Sequence, residues 1–259
     1  MIPKMFKTAE EVGRAVATKI AEAYQEKGKL VLGVPWGTTP IPIFDSFAEL
    51  VKKSNIDLLQ LQIVVMDEYV QKNSSGYAYV NAALPYSGHH HLQVGLLDKL
   101  SKEQAHQLKN NIHFPDANNP EGFDRFIQQK LGGVDIFIVA SGAEDGHVAM
   151  CGPGSSLESQ TGILQIPQGV RDYNFIKMRQ YFGNDKNKVP SHGVSVGLGT
   201  IINSKRLLFV AHGSSKSHIV EVFYRAGSFD KKFPITFLWA AAGKSEIYLD
   251  AAAARRIKR

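Results

Sequence analysis

The chain has 259 residues, 44% of them hydrophobic, enough for the core of one α/β domain spanning 1–259. Its formal net charge of +6 suits anionic ligands, but part of it is a solvated tail, residues 255–259, and no basic run is interleaved with aromatics, so nucleic acid is not an expected partner. A single cysteine, Cys151, excludes an internal disulfide and a Cys-rich metal site, while residues 1–8 lack a signal-peptide pattern and no apolar run approaches the ~20 residues that span a bilayer, so a soluble cytoplasmic protein without a membrane partner is expected.

Thr8, Ala9, Glu10 and Glu11 have the capping-box pattern, and Val12, Val16, Ile20 and Tyr24 follow at four-residue spacing up to Gly28, predicting an amphipathic first helix. Residues 29–34 read as a short apolar strand. The turn after it runs Pro35, Trp36, Gly37, Thr38, Thr39, Pro40 and leads to a second helix carrying Phe44, Phe47, Leu50 and Val51, with Thr39 as cap and Pro40 in the first turn. Free backbone N–H groups and the helix dipole make such a start attractive to phosphate. An ordinary βα turn has the same outline, and the stretch matches neither the Walker pattern nor GxGxxG.

Residues 58–66 read as another strand, delivering Asp67, Glu68 and Tyr69 at its carboxyl end. The polar stretch 71–87 is expected to form a loop and short helix over the site. His89, His90 and His91 resemble a metal tract, but adjacent residues point in different directions from a helix or a strand, so structural or solvent-exposed roles are expected of them. Residues 101–109 and 121–131 read as helices.

Residues 134–140 form a nearly continuous apolar run, the mark of a strand buried on both faces. Ser141 and Gly142 let the backbone turn, and the loop beyond presents Glu144, Asp145 and His147 where parallel sheets bind their ligands. On position alone, His147 reads equally well as a structural histidine. Residues 163–190 are expected to be irregular and concentrate Arg171, Lys177, Arg179, Lys186 and Lys188. Residues 194–200 read as a Gly-punctuated strand, and 207–211 as a strand ending in His212, Gly213, Ser214, Ser215 and Lys216 before a helix with Ile219, Val220 and Phe223. This second turn is also phosphate-like, with a solvated lysine as the alternative. Residues 235–240 are expected to be the last buried strand. With no metal-ligand cluster and no dinucleotide fingerprint, no metal or redox cofactor is expected.

Three segments in order, Gly33 to Pro40, Met66 to Val70 and Asp145 to Ala149 before Pro153, resemble the glucosamine-6-phosphate deaminase (isomerase) family, which shares its fold with the 6-phosphogluconolactonases. The runs at 184–190, 196–200 and 213–216 fall where that family has similar ones. The resemblance implies a single-domain, open, mostly parallel sheet with helices on both faces, Rossmann-like in topology but without a dinucleotide. It implies as substrate a small-molecule sugar phosphate, a 6-phosphorylated 2-amino sugar that opens its ring, moves a proton from C2 to C1 and loses ammonia. In that resemblance Asp67 matches the acid that removes the C2 proton, His147 the group that assists ring opening, and Asp145 the carboxylate that positions it. Gly37, Thr38, Thr39, Arg179 and Lys216 match the phosphate-binding positions, although Gln180 could replace Arg179, whose match needs a one-residue insertion. Members of the family occur as monomers and as higher oligomers, so a homo-oligomer stays open.

The chain also departs from the family. Its deaminases carry Asn-Glu-Pro after the histidine segment where Cys151, Gly152 and Pro153 stand here, so the glutamate that tunes the histidine is replaced by glycine, leaving Glu144 or Glu158 as substitutes. Trp36 stands at the first threonine of the phosphate loop, and Gly162 and Leu164 at the basic positions of allosteric deaminases, which argues against activation by N-acetylglucosamine 6-phosphate. A lactonase using His147 to activate water and a catalytically reduced sugar-phosphate sensor are the rival readings.

Overall fold

A computed structural model describes residues 1–257, so Lys258 and Arg259 of the basic tail lie outside the described residues. Seven strands, β1 (Lys4–Phe6), β2 (Leu30–Val34), β3 (Leu61–Val65), β6 (Ile112–His113), β7 (Ile136–Val139), β10 (Arg206–Ala211) and β11 (Ser245–Asp250), form a wholly parallel sheet in the order β1-β11-β10-β7-β2-β3-β6. Four others, β4 (Asp67–Asn73), β5 (Gly76–Tyr79), β8 (Gly162–Gln165) and β9 (His192–Ser195), form a smaller antiparallel sheet in the order β5-β4-β9-β8.

The expected open parallel sheet with helices on both faces is the observed one. In the central strands, residues alternate between two cores. Leu30, Leu32, Val34, Leu208 and Val210 face helices α1 (Ala9–Lys27), α2 (Ile41–Lys53), α3 (Gly88–Gly95) and α4 (Lys102–Lys109). Val31, Phe137, Val139, Leu207 and Phe209 face α5 (Pro120–Gln129), α8 (Leu198–Ile202) and α9 (Ser217–Ala226). At ~25 cal/mol per Å², each such buried aliphatic or aromatic side chain contributes about 1.5–3 kcal/mol, which is what fixes the register of the central strands.

The first helix forms as its residues dictate. Thr8 caps it by accepting from the Glu11 N–H, and Gly28 ends it in the left-handed region at φ 67°. The Glu11 carboxylate reaches back to the Lys7 N–H at 2.8 Å.

Several expectations fail, each for a local reason. Of the expected loop 71–87 only 80–87 are irregular, ahead of α3; before them β4 runs on to Asn73 and turns through a hairpin into β5, with Asn73 opposite Gly76. In the stretch 163–190 lie β8, α6 (Gln168–Lys177) and α7 (Arg179–Phe182). α6 buries only Asn174 and leaves Tyr173 and Ile176 exposed, so its sequence carries little apolar periodicity. In the segment 194–200 the strand ends at Ser195, and Gly197 is the N-cap of α8. Residues 235–240 are not a strand: Pro234 to Trp239 wind as a 3-10 helix with Pro in its first turn, and a short apolar run looks the same in either form. The last strand is instead β11, whose Ser, Glu and Asp mask a buried Ile247-Tyr248-Leu249 centre. Thr39 does not cap α2; Pro40 occupies that position, without a side-chain hydrogen bond. The tail is anchored as well as solvated, because Arg255 Nε donates to Ser217 Oγ at 3.2 Å and Arg256 pairs with Glu221 at 3.6 Å.

Candidate active site

From β2 the chain builds outward to β3 and β6, and from β7 in the opposite direction to β10 and β11. Between β2 and β7 the topology therefore reverses, leaving a crevice at the carboxyl ends of the strands. The turns after β2, β7 and β10 carry Trp36 to Thr39, Ser141 to His147 and His212 to Lys216, and β3 beside β2 leads through Met66 to Asp67 at the start of β4.

After β7 the loop folds on itself. His147 Nδ1 lies 2.6 Å from Asp145 Oδ1, and the same oxygen accepts the His147 N–H at 3.2 Å. Gly142 N–H donates to His147 O at 2.8 Å, and a Cβ on Gly142 would lie 2.2 Å from His147 Nδ1, so glycine is needed for this close approach. Burial pushes the Asp145 carboxyl up, but the hydrogen bond and charge of His147 outweigh it and hold it below the usual carboxylate range. An ionised Asp145 fixes the proton on Nδ1 and leaves Nε2 of His147 free to exchange one. Lys216 donates its ammonium to Ser141 O; burial depresses its pKa, and the nearby Asp145 partly restores it.

Asp67 is of another kind. It is 6% exposed and pairs in register with Ser195 of β9 at the seam between the two sheets. Burial first, and then the charge of Glu68, push its carboxyl up to about 7 against an opposing contribution from the Trp36 indole. Glu68, fully buried, accepts from the N–H groups of Tyr69 (2.7 Å), Gly88 (3.0 Å) and His89 (3.0 Å), from Ser87 Oγ (2.9 Å), and lies 2.6 Å from His89 Nδ1. His89 thus has the structural role expected of it, and Glu68 anchors the start of α3 to β4. The loop after His147 is tied to the same seam, since Met150 N–H donates to Ser195 Oγ at 3.1 Å and Cys151 Sγ to Val196 O at 3.4 Å.

The two phosphate-like turns are joined directly: His212 Nε2 lies 3.1 Å from Thr39 O. On its other side, Gly213 N–H donates to both oxygens of Asp250, at 3.1 and 3.0 Å, so the end of β11 pins the turn that carries Lys216. Asp250 was not singled out by sequence, and Glu68 and His212 were named only as members of their runs; an acid as the last residue of a strand is the one local signal that Asp250 offered. Arg179 is not brought to these turns. It is exposed, bonded to Asn184 Oδ1 and stacked 5.8 Å from the Phe175 ring, and its neighbour Gln180 is exposed too. Glu144 is exposed and Glu158 bonds Ser156, so among the described residues neither carboxylate is bonded to His147.

The family model described as glucosamine-6-phosphate isomerases/6-phosphogluconolactonase matches residues 3–247. The chain belongs to this family. Among its relatives, glucosamine-6-phosphate deaminase 2 of Giardia intestinalis is 30% identical over 221 residues, 83% of this chain and 77% of that one. The glucosamine-6-phosphate deaminase of an Exiguobacterium strain is 29% identical over 96% of this chain and 89% of its own. A solved monomeric glucosamine-6-phosphate deaminase superposes with a TM-score of 0.82 at 25% identity, covering 98% of this chain and 99% of that one. The 6-phosphogluconolactonase of Trypanosoma cruzi, at 17% identity and a TM-score of 0.69, shares the fold. Within the family frame, Gly152 sets its missing side chain against Pro167, where a Cβ would meet Cγ at 3.2 Å. No helix among the described residues is long and apolar enough to cross a membrane.

Proposed function

We propose that the protein isomerises and deaminates a 6-phosphorylated 2-amino sugar, with glucosamine 6-phosphate as the substrate of first choice. Phosphate is held by the Gly37, Thr38 and Thr39 turn and by Lys216; Arg179 joins it only by leaving Asn184. His147, oriented by Asp145, moves the proton that opens the ring. Asp67 takes the proton from C2 and returns it to C1, converting the open-chain aminoaldose to the imine of the ketose. Water then adds to that imine carbon and ammonia leaves, so one water is consumed for each ketose 6-phosphate and ammonia formed. In this hydrolytic sense the enzyme cleaves a C–N bond.

The observation that carries the reading is Asp67: a buried carboxyl titrating at about 7 is poised both to accept and to give up a proton near neutrality. Carrying one proton between neighbouring carbons needs that property, whereas hydrolysis of a lactone does not. The free, buried Cys151 supports a reducing, cytoplasmic setting. A panel of 6-phosphorylated amino sugars and 6-phosphogluconolactone, assayed for ammonia, ketose and acid, tests the proposal. Ammonia and ketose in equal amounts are expected; acid from the lactone alone would assign the protein to the lactonase branch, and binding without turnover would make it a sensor.

A further inference from the structure

Trp36, which stands where the phosphate-loop pattern has a threonine, makes its polar contact away from the phosphate turn. Its indole Nε1–H donates to the backbone oxygen of Asp67 at 2.9 Å. This is where the chain leaves the parallel sheet: Met66 N–H still bonds Val34 O at 3.0 Å, Met66 O accepts from Val196 N–H at 2.8 Å, and Asp67 opens the antiparallel sheet opposite Ser195.

The indole is itself held on several sides. Its ring meets Tyr69 edge-on, with centroids 5.2 Å apart at 90°, and lies tilted over His91 at 5.2 Å and 32°. The fit leaves no room for a methyl group. A Cβ on Gly88, the first residue of α3, would lie 2.9 Å from Trp36 Nε1 and 3.3 Å from Asp67 O, against the hydrogen bond itself. Gly88 is in turn fixed through its N–H to Glu68 Oε1. Trp36, α3 and the Asp67–Glu68 pair thus form one closed unit, with the indole as the strut between the β2 turn and β4.

We infer that Trp36 is the positioning residue of Asp67: its indole N–H fixes the peptide from which the carboxylate projects, holding that carboxylate in line with the substrate carbon that loses its proton. This rests on the proposed role of Asp67 as base. Proton transfer is sensitive to small misplacement, so a strut of this kind acts on the chemical step more than on substrate affinity.

The test is Trp36→Phe, which keeps an aromatic ring between Tyr69 and His91 and removes the donor, assayed with glucosamine 6-phosphate bearing hydrogen or deuterium at C2. Expected are a fall in kcat of about tenfold, KM within about twofold of wild type, and a larger isotope effect on kcat because C–H cleavage has become slower relative to the other steps. Wild-type kcat and isotope effect in Trp36→Phe, or a raised KM with unchanged kcat, would overturn the inference. If Trp36→Phe does not fold, Gly88→Ala, which presses on the same hydrogen bond, should show the same signature, and normal kcat there would equally overturn it. Asp67→Asn, run alongside, separates the two readings. Full turnover in Asp67→Asn removes the base itself, while an inactive Asp67→Asn beside a wild-type-like Trp36→Phe removes only the strut.

Discussion

The crevice has two sides that manage charge in opposite ways. On the loop after β7, the carboxylate of Asp145 is half-exposed, paired with His147 and within the field of Lys216, and its pKa is held low. At the seam after β3, Asp67 is buried beside a second acid, without a cationic partner among its described contacts, and its pKa is raised to about 7. The same side-chain type is therefore a fixed charge in one place and a titrating group in the other. Environment, more than residue identity, separates the two, and in the proposed mechanism that leaves one carboxylate to orient an imidazole and the other to carry a proton.

The largest expected effect short of removing the base lies on the loop side. His147→Asn should lower kcat on glucosamine 6-phosphate by roughly 10²–10⁴-fold while leaving KM within a few-fold, since general acid–base groups contribute on that scale. Near-normal kcat would make His147 a structural histidine and leave Asp67 as the sole working group. Next comes phosphate binding. Lys216→Ala should raise KM, and weaken inhibition by inorganic phosphate, by about 10- to 100-fold, the worth of a charge-assisted hydrogen bond of about 1.5–3 kcal/mol. Unchanged phosphate inhibition would move the anion site elsewhere.

The smallest effect is on stability, and its sign sharpens the contrast between the two carboxylates. Asp67 is protonated up to about pH 7 when folded but ionises near ~3.9 when unfolded. In that window the folded state holds a proton that the unfolded chain has released, so stability falls as pH rises from ~4 through 7. Asp67→Asn should therefore melt several degrees above wild type at pH ~8, with the difference shrinking towards pH ~4. A lower melting temperature at pH ~8 would mean that the carboxylate caps the strand end and stabilises the fold in its charged form.

The sequence disclosed what depends on local pattern and concealed what depends on distant contacts. Apolar runs such as 134–140 and the amphipathic first helix announced the parallel sheet and its covering layers. The acids and glycine turns after β2, β3, β7 and β10 announced the crevice. The second sheet was hidden, because its strands are short and half-polar and its central pairing, β4 with β9, joins residues more than a hundred apart, as where Asp67 faces Ser195. The neighbourhood that raises the pKa of Asp67 was hidden for the same reason: burial at a seam is made by β9, α3 and Trp36 together. Trp36 was noticed as an oddity of the phosphate turn, but only the fold reveals that its indole turns to the Asp67 peptide. Arg179 shows the opposite failure, a residue matched by resemblance that here bonds Asn184 within its own segment.

The division of labour between the two carboxylates is tested most directly by the pH dependence of kcat/KM for ammonia release from glucosamine 6-phosphate, compared between wild type and Asp67→Asn. The expected wild-type profile falls on its acid side through an apparent pKa near 7, as Asp67 takes up a proton and ceases to be a base. Asp67→Asn is expected to lose roughly 10²–10⁴-fold of the activity above pH ~7, and the acid limb with it, so that the deficit shrinks as pH falls, while the protein stays folded and binds substrate. Near-wild-type ammonia release from the folded Asp67→Asn protein, with the same acid limb, would contradict the assignment of Asp67 as the base.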